Sequence, residues 1–179
     1  MRFGDAVALL AGVAIVGQLL FLGVVEVQGR STLPGIEPGQ RLIYLKRATP
    51  ELGDVVVVEY PEGSDRFRVK RVAAVGPARV QLFGGQLWVD GELLGDEETL
   101  GSVTCGRERL ELREERFGDR SWRVATGGDE PAIELREGEV WLLGDNRGNS
   151  RDSRAWGALD HRLIKGVVGW SLFSRNRCN

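Results

Sequence analysis

The hydrophobic positions of the chain form one long apolar run, followed by many short ones. From Ala6 to Val25 the only polar side chain is Gln18, and a run of this length is what a helix needs to cross a bilayer. A cleavable signal peptide has a shorter apolar core, of about 7–15 residues, and ends at a small-x-small site. The run here ends in Val-Glu-Val instead. The pattern therefore predicts an uncleaved transmembrane anchor helix over residues 1–26.

After the anchor, the pattern changes to short β-branched or alternating runs that are separated by Gly and Pro, which is typical of strands and turns. No segment there has a sustained helical periodicity. The predicted strands cover residues 41–45, 55–58, 67–72, 86–91, 108–116, 121–125 and 163–173. Residues 27–179 are therefore predicted to form one mainly β domain, built from antiparallel sheet and tethered by the N-terminal helix. Within it, residues 97–137 are rich in Glu and Arg and are predicted to form a solvated outer β-hairpin.

Composition excludes several classes of function. The net charge of −2 gives no electrostatic case for binding nucleic acid. Cys105 and Cys178 do not have the spacing of metal ligands, and the single histidine, His161, cannot build a histidine-rich site. We therefore expect no metal and no cofactor.

A polar loop follows the apolar run at residues 140–143, which itself predicts a buried strand. Residues 144–157 read Gly-Asp-Asn-Arg-Gly-Asn-Ser-Arg-Asp-Ser-Arg-Ala-Trp-Gly. This loop resembles the last sequence box of the type I signal peptidases, which are Ser/Lys proteases that remove secretory signal peptides. The resemblance implies a β-sheet catalytic domain, with a nucleophilic serine and a lysine base upstream of the loop.

The expected nucleophile lies just after the anchor. Residues 27–39 read Val-Gln-Gly-Arg-Ser-Thr-Leu-Pro-Gly-Ile-Glu-Pro-Gly and are similar to the box that carries the family's catalytic serine, which implies that Ser31 is the nucleophile. Thr32 stands where Met is usual, a difference that concerns the substrate pocket. Some members of the family have a serine hydroxyl as an oxyanion donor two residues before the nucleophile. Gly29 occupies that position here, so the backbone N–H of Ser31 is the expected donor.

The expected base is Lys70. Gly-Asp-Val-Val-Val-Val at residues 53–58 and Arg-Val-Lys-Arg-Val at residues 68–72 resemble the family's lysine box. Side chains alternate between the faces of a strand, so Lys70 and Arg71 should point in opposite directions. A lysine is protonated at neutral pH unless burial lowers its pKa.

The resemblance also assigns supporting roles. Ser150 would hydrogen-bond the Lys70 amine and orient it towards the nucleophile. Asp152 would pair with both Arg71 and Arg154 and so fix the loop against the strand. Two other charged residues of the loop, Asp145 and Arg147, are expected to be structural.

The predicted function is that of a membrane-bound serine endopeptidase, which removes signal peptides from exported preproteins after small-x-small sequences. One alternative is a specialised peptidase of the same clan for a single pilus or secretion substrate. Another is an inactive, membrane-tethered binding module. A self-cleaving regulator is disfavoured because its scissile bond should precede the nucleophile, whereas the only Cys-Gly pair, Cys105-Gly106, follows Ser31.

The charges that flank the anchor do not determine its orientation, since the positive-inside rule weakens when a long folded domain follows. The resemblance implies a single pass through the bacterial plasma membrane, with the catalytic domain on the outer face. That compartment permits disulfides, and the sequence leaves open whether Cys105 and Cys178 form a disulfide or remain two free thiols.

His161, the alternative base, has no nucleophile elbow beside it and is expected to be a surface or structural residue.

Overall fold

Short β-branched runs become the strands of three antiparallel sheets. The computed structural model describes residues 20–59, 67–95, 99–172 and 178. The strands are β1 (Leu22–Glu26), β2 (Arg41–Lys46), β3 (Val55–Glu59), β4 (Phe67–Val75), β5 (Ala78–Phe83), β6 (Gln86–Val89), β7 (Glu92–Leu94), β8 (Gly101–Cys105), β9 (Glu108–Phe117), β10 (Arg120–Ala125), β11 (Glu130–Leu135), β12 (Glu139–Leu143), β13 (Leu159–Asp160) and β14 (Ile164–Leu172). The short α-helix α1 covers Ser153–Trp156, and single turns of 3-10 helix cover Arg147–Asn149 and His161–Leu163. The prediction of a mainly antiparallel β fold is confirmed.

The largest sheet positions the residues of the expected site. Its seven strands lie in the order β1-β2-β14-β3-β4-β12-β13, so β4 and β12 are neighbours although they are far apart in sequence. Val56, Val72 and Leu142 come from β3, β4 and β12, and they pack together in one fully buried cluster. Burying a side chain of this kind contributes about 1.5–3 kcal/mol. This cluster therefore holds the strand that carries Lys70 against the strand that leads into the polar loop.

The first strand corrects the predicted end of the anchor helix. Leu22–Glu26 lies within the range predicted to be helical, but it pairs with β2 along its whole length. A β-carbon on Gly23 would overlap the ring of Tyr44 on β2, so glycine allows the two strands to approach each other. Residues 1–19 lie outside the described residues. Within the described part of the chain, no helix is long and apolar enough to span a bilayer.

The segment predicted as a solvated outer hairpin is more than a hairpin. Strands β9 and β10 form the predicted hairpin, β8 pairs with the other edge of β9, and β11 joins β5 in a separate four-stranded sheet. Leu110 and Leu112 pack against Leu33, which follows the expected nucleophile closely in sequence. The interpretation of this segment as solvated is wrong for its inner face, where Glu115 and Trp122 are buried.

Cys105 and Cys178 form a disulfide that spans 73 residues of sequence. The bond attaches the end of the chain to the three-stranded sheet β10-β9-β8. In the chain-entropy account, closing a loop of this length stabilises the folded state by about 4 kcal/mol. The structure thereby resolves the question that the sequence left open.

Candidate active site

The polar loop after β12 lies directly against the expected nucleophile. The Asn146 backbone N–H donates to the Ser31 carbonyl oxygen over 3.0 Å. A β-carbon on Gly144 would overlap the Ser150 hydroxyl and would lie only 2.5 Å from the Ser31 carbonyl oxygen. Any larger residue would push the two segments apart. Glycine is therefore required at position 144 for the loop to close on the nucleophile.

Ser31, Lys70 and Ser150 come together from three parts of the chain. Lys70 Nζ lies 2.8 Å from Ser31 Oγ and 3.1 Å from Ser150 Oγ. Both distances are within the range of a hydrogen bond. Strand β4 contributes the lysine, the loop after β1 contributes Ser31, and the loop after β12 contributes Ser150.

The amine of Lys70 is almost completely buried, with 2% of the residue exposed. Burial lowers the pKa of Lys70 from its usual value near 10.5 to about 8, because an ammonium group loses its hydration there. The Asp152 carboxylate acts in the opposite direction, and Arg68 on the same strand adds to the decrease. A useful fraction of the amine is therefore neutral near pH 8 and able to accept a proton from a hydroxyl group.

Asp152 fixes the shape of the loop that carries Ser150. It is fully buried, accepts hydrogen bonds from Arg154 Nε and Nη2 at 2.8 Å each, and accepts another from the Gly144 N–H at 2.9 Å. It also caps α1 by accepting from the Arg154 N–H. Burial alone would raise the pKa of Asp152, but the hydrogen bonds from Arg154 and Gly144 outweigh it and lower that pKa. Asp152 is therefore charged, and it holds the two ends of the loop together.

Arg71 has a different partner from the one predicted. Its guanidinium donates two hydrogen bonds of 2.7 Å to the Asp145 carboxylate and one of 2.8 Å to the Gly53 carbonyl. It also lies 5.0 Å from the ring centroid of Trp122, within the range of a cation–π contact. The predicted pair of Asp152 with Arg71 is therefore not formed, because Asp145, two residues after β12, accepts from Arg71 Nε and Nη2 while Asp152 pairs with Arg154.

The sequence profile of the family described as "Signal peptidase, peptidase S26" matches residues 1–173. The chain belongs to this signal peptidase family. Membership confirms the resemblance that the polar loop indicated. It also confirms the predicted class of enzyme, a serine endopeptidase, and the predicted function, removal of signal peptides from preproteins.

Individual relatives in the signal peptidase family differ in how much of their length the chain matches. It is 29% identical over 158 residues to the probable signal peptidase I-1 of a Synechocystis species, covering 82% of this chain and 69% of that protein. It is 34% identical over 127 residues to signal peptidase I of Pseudomonas aeruginosa, covering 67% of this chain and 44% of that protein. A crystal structure of a signal peptidase I from Enterococcus faecalis matches with a TM-score of 0.45 at 20% identity, over 68% of this chain and 98% of that one.

A pocket with a volume of about 340 Å³ opens beside Ser31 in this signal peptidase family member. Its apolar lining comes from Val25, Val27, Phe67 and Val69, and the other lining residues are Glu26, Gln28, Gly29, Ser31, Thr32 and Arg68. Thr32, which stands at the family's usual Met position, is buried, and its hydroxyl donates to the Ile36 carbonyl over 3.1 Å.

Sequence reasoning missed two acidic residues that contact the site's loops. The buried Glu115 carboxylate accepts from Arg147 Nη2 over 2.6 Å and from Trp122 Nε1 over 2.8 Å. Glu108 accepts from Asn146 Nδ2 over 2.9 Å. Both lie on β9, in a segment whose Glu-rich and Arg-rich composition indicates a solvated surface. The alternation in β9 places Leu110 and Leu112 on one face of the strand but does not mark Glu115, which lies on the other face.

His161 lies apart from this arrangement. Its side chain is half exposed, and Nδ1 lies 2.9 Å from the Gly138 carbonyl oxygen. Across the residues that the structure describes, no group of three or more His, Cys, Asp or Glu side chains is arranged to hold a metal ion.

Proposed function

We propose that Ser31 and Lys70 form the catalytic dyad of this enzyme. The observation that carries the proposal is the buried Lys70 amine, 2.8 Å from Ser31 Oγ. The neutral amine takes the hydroxyl proton while Ser31 Oγ attacks the carbonyl carbon of the scissile peptide. The resulting ammonium then gives the proton to the leaving nitrogen, which becomes the amino terminus of the mature protein. A water molecule, deprotonated by Lys70, hydrolyses the ester and restores the serine.

Ser150 orients the base in this proposal. A lysine amine on a flexible side chain needs a second contact to hold it in line with its partner. The Ser150 hydroxyl is 3.1 Å from Lys70 Nζ, and its own position is set by the loop that Asp152 and Arg154 brace. These residues support the dyad without taking part in bond making.

The oxyanion of the tetrahedral intermediate needs a donor aimed at it. With Gly29 two residues before the nucleophile, no side-chain hydroxyl is available at that position. The Ser31 backbone N–H is therefore assigned this role. Among the hydrogen bonds of the described residues, none uses this N–H, which leaves it available to the substrate.

The pocket beside Ser31 supports the proposed substrate class. In an extended peptide, side chains two residues apart point to the same face. The apolar part of the pocket, lined by Val25, Val27, Phe67 and Val69, supports two small side chains in that arrangement, as in the small-x-small ends of signal peptides. We infer that exported preproteins are the substrates.

We infer that the enzyme is a single-pass protein of the bacterial plasma membrane, anchored in the lipid bilayer by the apolar run that begins at Ala6. The catalytic domain would lie on the outer face, where cleavage sites emerge. Protease added to intact spheroplasts should therefore digest the domain. Protection of the domain until lysis would contradict this orientation.

The direct test of the proposed function is cleavage of a preprotein with a small-x-small site by the purified full chain in detergent. Sequencing the product should show a new amino terminus immediately after that site, and Ser31→Ala should give no product. A preprotein whose small residues are replaced by Leu serves as the substrate control and should remain uncleaved. Cleavage elsewhere, or by Ser31→Ala, would contradict the proposal.

The pH dependence of kcat/KM should follow the neutral amine. Because burial lowers the pKa of Lys70 to about 8, the base is mostly protonated and inactive below that pH, and mostly neutral above it. Activity should therefore rise through pH 8 and level off at alkaline pH. A rate that falls over this interval would contradict the role of Lys70.

A further inference from the structure

The side chain of Asn146 lies between the nucleophile and the three-stranded sheet. Its Nδ2 donates to the Arg30 carbonyl oxygen over 3.3 Å and to Glu108 Oε1 over 2.9 Å. Both partners are acceptors only, so the amide must present its nitrogen to them. Asn146 is also buried, with 2% of the residue exposed. Its side chain is therefore held in one orientation.

The Arg30 carbonyl and the Ser31 N–H belong to the same peptide unit. That unit is planar and trans, so the direction of the carbonyl fixes the direction of the N–H. The backbone N–H of Asn146 also donates to the Ser31 carbonyl. Asn146 thus contacts the peptide units on both sides of the nucleophile. The Arg30 carbonyl also accepts from the Leu33 N–H over 3.3 Å, but among the described residues only the Asn146 side chain connects it to the three-stranded sheet.

Glu108 holds Asn146 and Arg30 together. Its second oxygen lies 3.0 Å from Arg30 Nε, and Arg30 Nη2 donates in turn to the Cys105 carbonyl over 2.6 Å. Hydrogen bonds from Asn146 and Asn149, together with the charge of Arg30, lower the pKa of Glu108 despite its partial burial. The carboxylate is therefore ionised at neutral pH and accepts from both neighbours.

We propose that Asn146, held by Glu108, is a positioning residue that aims the Ser31 N–H at the oxyanion. It acts through the Arg30–Ser31 peptide and touches no reacting atom. The inference rests on the proposed function, in which that N–H is the oxyanion donor. It gives the three-stranded sheet a part in catalysis, because Glu108 is the first residue of β9.

The variant Asn146→Asp tests this role. It keeps the size of the side chain but places a carboxylate oxygen against the Arg30 carbonyl. Removing an oxyanion donor outright costs about 10²–10³-fold in kcat, and a misdirected donor should cost less. We expect kcat to fall by about 10- to 100-fold, with KM within about twofold of the parent value because ground-state binding is unchanged.

Two peptide ligands separate transition-state binding from ground-state binding. A peptide boronic acid with a small-x-small sequence forms a tetrahedral adduct on Ser31 and needs the oxyanion donor, whereas an uncleavable peptide of the same sequence does not. For Asn146→Asp, the affinity for the boronic acid should fall by the same factor as kcat/KM. The affinity for the uncleavable peptide should stay at the parent value.

A double variant distinguishes positioning from a purely structural link. When Asn146→Asp is combined with Glu108→Gln, the amide introduced at position 108 can donate to the carboxylate introduced at position 146. This restores the hydrogen bond between the two segments. The thermal midpoint should recover, but kcat should stay low because the Arg30 carbonyl still lacks the Asn146 donor and keeps only the Leu33 N–H. Glu111→Gln, an exposed position on the same strand, is the matched control and should match the parent in both respects.

Two results would overturn the inference. One is a parent-like kcat for a folded Asn146→Asp, and the other is recovery of kcat together with stability in the double variant. If Asn146→Asp does not fold, Glu108→Ala makes the same test and should also lower kcat without raising KM. If the parent itself neither cleaves the preprotein nor binds the boronic acid, the proposed function fails, which is a different outcome.

Discussion

Lys70→Arg should lower kcat/KM by at least about 10³-fold, although it keeps the positive charge and nearly the length of the side chain. A positioned general base contributes about 10²–10⁴-fold, and here the same group also activates the nucleophile. A guanidinium remains protonated at any pH at which the protein is folded, so it cannot accept the Ser31 proton. Initial rates with a small-x-small peptide substrate measure the effect directly. Ser31→Ala should be at least as inactive, because no acyl-enzyme can form.

Two control variants make this result specific. Lys165→Arg changes the same residue type at a partly exposed position paired with Glu59 and should keep full activity. His161→Ala should also keep most of its activity, since that ring is half exposed and contacts the Gly138 carbonyl. An active Lys70→Arg, together with an inactive but folded His161→Ala, would show that the dyad has been assigned to the wrong residues.

Glu115→Leu should lower the free energy of unfolding by about 3–5 kcal/mol, the usual cost of leaving one partner of a buried ion pair uncompensated. The side chains of Glu115 and Arg147 are only 4% and 1% exposed, so the Arg147 charge has little access to water. Trp122 Nε1 would lose its acceptor as well. Urea denaturation of the purified chain measures the loss.

The double variant Glu115→Leu with Arg147→Met isolates the charge. Removing both partners leaves no buried unpaired ion, so the double variant should be more stable than Glu115→Leu alone. Glu111→Leu changes an exposed glutamate on the same strand and should leave stability unchanged. If Glu115→Leu matched this control, the ion pair would contribute nothing to stability, and the account of the inner face of the sheet would be wrong.

The strand pattern made most of the fold predictable from the sequence. Runs such as residues 55–58 favour a buried strand, because four consecutive valines favour extended backbone and need cover on both faces. The end of the anchor was not predictable in this way. Leu22–Val25 is as apolar as the run before it, and only its pairing with β2 distinguishes strand from helix.

The same holds for the site: local sequence motifs predicted its main residues, whereas contacts between distant parts of the chain could not be predicted. The motifs identified Ser31, Lys70 and Ser150, which the structure brings together. The partner of Arg71 could not be inferred from the sequence, since Asp145 and Asp152 belong to one loop and lie at similar sequence distances from Arg71. Only the folded structure determines which of the two carboxylates contacts the guanidinium. Glu108 was missed for a related reason, because a glutamate in a charged segment has no local feature that marks it as a contact of the nucleophile loop.

The pKa of Lys70 tests the central claim most directly, because the mechanism requires a neutral amine near pH 8. The sequence contains only three lysines, at positions 46, 70 and 165. Heteronuclear NMR of the full chain labelled with ¹³C-lysine can therefore follow each side chain separately, with Lys70→Arg assigning its signal. We predict that Lys70 titrates at about 8. Titration of the Lys70 signal near the ordinary value of about 10.4 would contradict the account.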